Sequence, residues 1–140
     1  MSRPLLLYLV PAILLLPLLA CHPLENKKAA ESAVTKFHAQ LDAEQFHEIY
    51  AASSHDFQQA SNEPDMTALF QAIHRKLGPI HKSDEAGFFV NYTTGGTMIT
   101  LTYSTQFASG SGQEQFIWRM EDGQPALVGY HINSKELITR

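Results

Sequence analysis

Thr97-Met98-Ile99-Thr100-Leu101-Thr102-Tyr103-Ser104-Thr105-Gln106-Phe107 alternates apolar and polar side chains along most of its length. Successive strand side chains point to opposite faces, so this period of two specifies a long, half-buried strand. Ile99, Leu101, Tyr103 and Phe107 share one face, and Thr100, Thr102, Ser104 and Gln106 share the other. The same period continues on both sides. Upstream, residues 87–92 read as a strand, followed by a Thr93-Thr94-Gly95-Gly96 turn. Downstream, Ser109-Gly110-Ser111-Gly112 reads as a flexible hairpin loop. Residues 113–120 form the next strand, with Phe116 and Trp118 on one side and Ile117 and Arg119 on the other. Asp122-Gly123 is a hairpin-turn pair. Residues 126–132 form the last strand, placing Val128, Tyr130 and Ile132 opposite Leu127, Gly129 and His131.

Upstream of the strands the period is helical. Ala30, Ala33, Val34, Phe37 and Leu41 make one apolar stripe, predicting a helix over residues 27–41. Asp42 is placed to cap a second helix, with Gln45 completing a capping box and Phe46, Ile49 and Tyr50 on its buried face. Residues 51–61 are polar and ambiguous, with Phe57 as a plug into the core. A third helix is capped by Ser61 or Asn62 and carries Pro64 in its first turn. Its stripe is Met66, Leu69, Phe70, Ile73 and Leu77, and Gly78-Pro79 ends it. Three helices followed by four hairpin-connected strands predict an α+β domain: three N-terminal helices packed on one face of a four-stranded antiparallel sheet.

The first 20 residues have a different character. Arg3 gives a positive start, an apolar run extends from Leu5 to Leu19, and Ala20 precedes Cys21, the single cysteine. This is the build of a secretory signal peptide. A membrane span needs about 20 apolar residues, whereas this run is shorter and broken by Pro11 and Pro17. Residues 1–20 are read as a leader, 21–26 as a tether and 27–140 as the domain. Without the leader and its Arg3, 120 residues remain, with nine Lys and Arg against 14 Asp and Glu, a net charge of −5. One domain fits that length. An acidic domain without a basic cluster is a poor nucleic-acid binder.

Leu18-Leu19-Ala20-Cys21 resembles the bacterial lipobox. The resemblance implies a diacylglyceryl group on the Cys21 thiol, cleavage before Cys21 and acylation of the new amino terminus. The protein would then sit in the bacterial envelope, lipid-anchored, with its domain in the periplasm. His22 at the second mature position, rather than aspartate, favours the outer membrane over the inner in a host that sorts on that residue. With Cys21 lipidated, no thiol is left for disulfides, catalysis or metal.

The helix–strand order, the closing Leu127-Val128-Gly129-Tyr130-His131-Ile132-Asn133-Ser134, Leu77-Gly78, Tyr103-x-x-x-Phe107 and Glu114-x-Phe116-x-Trp118 resemble the nuclear transport factor 2-like fold. They are similar in particular to its small envelope members of unknown function. The resemblance implies a bent sheet wrapped round the helices to form a cone. That fold hosts isomerases, dehydratases, hydrolases, binders and dimerisation modules, so it does not select a function.

Candidate chemistry is sparse. His22, His38, His47, His55, His74, His81 and His131 lack metal-ligand spacing, and His38 and His74 fall on the polar sides of their helices. No metal or cofactor is expected. Ser53-Ser54-His55-Asp56 contains triad residue types, but triads assemble from distant segments, and a polar loop is the plainer reading. Asp84 and Glu85 would point to opposite faces of a strand. Tyr50, Tyr103, Trp118 and Tyr130 are a candidate pocket for a small, partly apolar ligand, or ordinary core. Arg119 and His131 are a candidate partner face, beside Thr100 and Thr102. The leading expectation is a membrane-anchored, non-catalytic module that binds an envelope protein or a small ligand. The alternatives are an enzyme with Tyr103 or Tyr50 as donor and Asp56 as base, and a homodimeric scaffold.

Overall fold

The computed structural model describes residues 23–139. The leader, Cys21 and His22 lie outside the described residues. The helices come first: α1 (Pro23–Asp42), α2 (Phe46–Ala51), α3 (His55–Ala60) and α4 (Glu63–Leu77). The strands follow as β1 (Ile80–Thr93), β2 (Gly96–Phe107), β3 (Gly110–Glu121) and β4 (Gln124–Asn133), and α5 (Lys135–Ile138) closes the chain. The sheet is an antiparallel meander in the order β1-β2-β3-β4. The protein is therefore α+β, with helices against one face of an open four-stranded sheet. Among the described residues there are five helices rather than three. The additional ones, α3 and α5, have six and four residues, too short to show a helical stripe in sequence.

Helix limits follow local chemistry. α1 starts at Pro23, inside the stretch read as a tether, because proline is tolerated in a first turn and no breaker follows it. Asp42 is not a cap for α2. It is the last residue of α1, and its carboxylate accepts the Ile80 amide at 3.0 Å, fastening α1 to the start of the sheet. The chain turns at Glu44, whose φ is 56°, and α2 begins at Phe46 with no side-chain cap. Ser54 caps α3 by accepting the Phe57 amide, and Phe57 is buried as the predicted plug. Asn62 caps α4 by accepting the Asp65 amide at 2.9 Å. Gly78 ends α4 at φ 75°, a backbone setting glycine adopts without strain. Asn62→Ala is expected to cost about 1 kcal/mol. The check is a lower urea midpoint at unchanged m-value.

The core lies between the helices and the sheet face they cover. Ala30, Val34, Phe37 and Leu41 of α1 and Phe70, Ile73 and Leu77 of α4 pack with Ile99, Leu101, Phe116 and Leu127. Leu69, assigned to the α4 stripe, is instead exposed. Three strand readings also change. β1 begins at Ile80 rather than at residue 87; its first half is charged and lies on the sheet edge, so it lacks alternation. The β2–β3 loop is only Ala108-Ser109, and Gly110 and Gly112 belong to β3. A Cβ at Gly110 would come 2.7 Å from the Glu136 side chain, which would have to swing aside. In β4, Val128 is an extra residue: Ile117 pairs with Gly129 and Trp118 with Leu127. This bulge exchanges the faces, so Leu127 and Tyr130 both point inward.

Candidate functional site

One carboxyl group on the inner face of the sheet is shut off from solvent. Glu114 of β3 is completely buried. Its Oε1 accepts the Tyr130 hydroxyl at 2.7 Å, and its Oε2 accepts the Thr105 hydroxyl at 2.6 Å. His38 Nε2 lies 2.8 Å from the same Oε2. Thr105 is hydrogen-bonded in turn to Ser83 at 2.8 Å. One connected group thus ties α1 (His38) to all four strands (Ser83, Thr105, Glu114 and Tyr130). No fully buried side-chain nitrogen or oxygen in it lacks a partner, as a buried polar cluster requires.

An aromatic layer closes over this group. Phe116 is fully buried, with ring centroids 5.1 Å from Phe37, 5.2 Å from Tyr130, 5.6 Å from His38, 6.0 Å from Tyr103 and 6.2 Å from Trp118. Tyr103, Trp118 and Tyr130, three of the four aromatics assigned to a pocket, therefore gather round one ring. Tyr50 stands apart. Its hydroxyl donates to the Ser61 carbonyl at 2.9 Å and its ring packs near Phe57. Trp118 also lines a cleft of about 70 Å³ against Ala33, Lys36 and Phe37 of α1, and its indole N–H has no partner.

Burial, followed by the nearby Glu114 carboxyl, raises the Tyr130 phenol well above its ordinary range. Burial, followed by Glu85 and Glu31, pushes Tyr103 up to about 12. Between pH 10.0 and about 12 the unfolded chain releases the Tyr103 proton while the native state keeps it. This contribution to stability is full below pH 10.0 and is lost as pH rises through about 12. Alkaline titration followed by phenolate absorbance is expected to show one tyrosine ionising near pH 12 and another only on unfolding.

Arg119 and His131 do not share one patch. Arg119 pairs with Asp56 of α3 and lies 3.7 Å from Glu121. His131 is exposed four β3 pairings away, opposite Gln115, in a shallow depression of about 410 Å³ lined also by Thr102, Gln113 and Asn133. Asp56 is exposed, and the Arg119 guanidinium holds its carboxyl below the usual range. Arg119 is five residues along β3 from Glu114, the partner of Tyr103 in register, or about 17 Å at strand spacing. Asp56 is thus no base for a Tyr103 site. His55 is exposed, while Ser53 and Ser54 are buried in backbone-capping roles. Among the described residues no three His, Cys, Asp or Glu side chains are grouped to hold a metal.

The sequence offers Glu114 only within the Glu114-x-Phe116-x-Trp118 motif, without a role, and the reading that puts His38 on the polar side of α1 is overturned by its burial. Both carried a signal. Glu114 has the same parity as Phe116 and Trp118, and His38 falls four residues after Val34 on the apolar stripe of α1. The class defined by fold and site is a helix-covered antiparallel meander with a sealed polar knot beneath an aromatic layer. No family model matches the chain, and no curated protein matches it.

Proposed function

We propose that the protein is a lipid-anchored component of a bacterial envelope whose domain works as a non-catalytic interaction module. The observation that carries this reading is the closed interior. The carboxyl of Glu114 has no solvent exposure, and its hydrogen bonds are taken by the protein's own side chains. A general acid or base has to reach its substrate, and this group is saturated and covered by Phe116. Binding therefore falls to the outside, where the depression round His131 offers amide and imidazole groups to a partner. The four-stranded meander covered by helices supports the resemblance to the nuclear transport factor 2-like fold, and the lipobox supports the anchor.

One observation favours an enzyme as the second reading. His38, Glu114 and Tyr130 are in hydrogen-bond contact, and the half-buried Tyr103 ring lies 6.3 Å from His38. Glu114→Gln separates the two. A structural knot predicts a lower unfolding midpoint with envelope function retained wherever the variant is folded. An enzyme predicts a folded variant that has lost function. The anchor is tested by metabolic labelling with radioactive palmitate. The wild-type chain is expected to be labelled and to sediment with membranes, and Cys21→Ala to be unlabelled. Equal labelling of both would refute it.

A further inference from the structure

We infer that the first turn of α1 and the end of the β1–β2 hairpin form a second membrane contact, dipping into the lipid interface beside the anchor. The inference rests on the lipidation of Cys21 proposed above.

Chain length comes first. Cys21 precedes Pro23 by two residues, and two residues span at most about 7 Å. Because α1 starts at Pro23, no tether separates the anchor from the folded domain. A lipid on Cys21 therefore holds the first turn of α1 at the headgroups, and whatever lies beside that turn faces the bilayer.

Apolar side chains lie there. Leu24 is 73% exposed. Lys27, three residues on and on the same side of the helix, places its Nζ 4.8 Å from the centre of the Phe88 ring and 2.9 Å from Glu85 Oε2. α1 thus starts alongside the second half of β1, where Phe88, Phe89 and Tyr92 are 58%, 64% and 60% exposed. Together with Leu24, these are four of the six exposed large hydrophobics among the described residues.

Their arrangement selects lipid as the occupant. Phe88 and Phe89 are consecutive and point to opposite faces of the strand. A flat protein partner would cover one face only, whereas lipid surrounds an inserted hairpin on both. No charged residue occurs between Glu85 and Glu114, so the hairpin tip enters without burying charge. Aromatic rings, tyrosine among them, are favoured at the interface. The β3–β4 turn lies at the same end of the sheet and carries Glu121 and Asp122. It stays in the aqueous headgroup layer, so the domain tilts with β1 towards the membrane.

The test uses the full chain, processed in a bacterial host and reconstituted in vesicles of phosphatidylethanolamine with a minority of phosphatidylglycerol. Single spin labels are placed through Leu24→Cys, Phe89→Cys and Gln71→Cys. Gln71 is exposed on α4 and lines a depression with Glu44, at the far end of α1, about 30 Å from Pro23. Labels at 24 and 89 are expected to be more accessible to oxygen than to a water-soluble nickel complex, with the reverse at 71. Aqueous accessibility at all three, in a chain whose Cys21 thiol is blocked and which floats with vesicles, overturns the docking and leaves the anchor standing. Dipolar broadening between labels at 89 overturns it in favour of a second copy of the chain. Two labels per chain without flotation would show an unlipidated Cys21, and the anchor and the docking fall together.

Discussion

Glu114→Ala is expected to cost about 3–5 kcal/mol, the range for removing one member of a buried, fully hydrogen-bonded polar cluster. The substitution leaves the Tyr130 hydroxyl and His38 Nε2 without their partner, and Thr105 keeps only Ser83. Against a typical total of about 5–15 kcal/mol, that is a large share. Urea denaturation followed by circular dichroism measures it. The comparison variant is the triple change His38→Leu, Glu114→Leu and Tyr130→Phe, which removes donors and acceptor together. It should lie closer to wild type than Glu114→Ala, because no orphaned group remains. If the single variant loses less than about 1 kcal/mol, the knot does not hold the sheet to α1.

Phe116→Ala is expected to cost about 3–5 kcal/mol, as deletion of a large buried aromatic does. Phe116 contacts α1 through Phe37 and His38, and its own sheet through Tyr103, Trp118 and Tyr130. No single neighbour can move into the space without leaving another, so the cavity stays open. The loss is read from the same denaturation curves, with a second signature in near-ultraviolet circular dichroism, since Trp118 stacks on Phe116 at an interplanar angle of 8°. Phe116→Leu, which keeps most of the volume, is expected to recover more than half of the loss. A loss below about 1.5 kcal/mol for Phe116→Ala would mean that the aromatic layer repacks freely.

Both predictions concern residues whose inward orientation could be read from parity alone, and the strand faces in β2 and β3 emerged as the alternation implied. The exceptions have physical reasons. Val128 inserts one residue into β4, and a single insertion reverses the parity of everything beyond it. The first half of β1, Ile80-His81-Lys82-Ser83-Asp84-Glu85, is an edge strand whose charges discourage pairing with another sheet, and that same chemistry hides its extended form. His38 and Glu114 are polar types that composition assigns to solvent. Their burial depends on Thr105 and Tyr130 arriving from two other strands, which is a property of register and not of any one segment. The four aromatics divided for a similar reason: Tyr50 belongs to the α2–α3 corner, and sequence spacing cannot tell a corner from a cone.

The order of elements also sets a timetable. Each strand pairs only with its neighbour in sequence, so the sheet can zip locally once it exists. The helices have no such local solution. A chain made amino-terminus first presents the Ala30, Val34, Phe37 and Leu41 stripe roughly 60 residues before Ile99 appears, and Tyr130 closes the Glu114 knot near the very end. During that interval α1 is an amphipathic helix with nothing to lie against. The protein completes itself from its last strand backwards, and any factor that escorts the unfinished chain has to cover the first helix until the fourth strand is out.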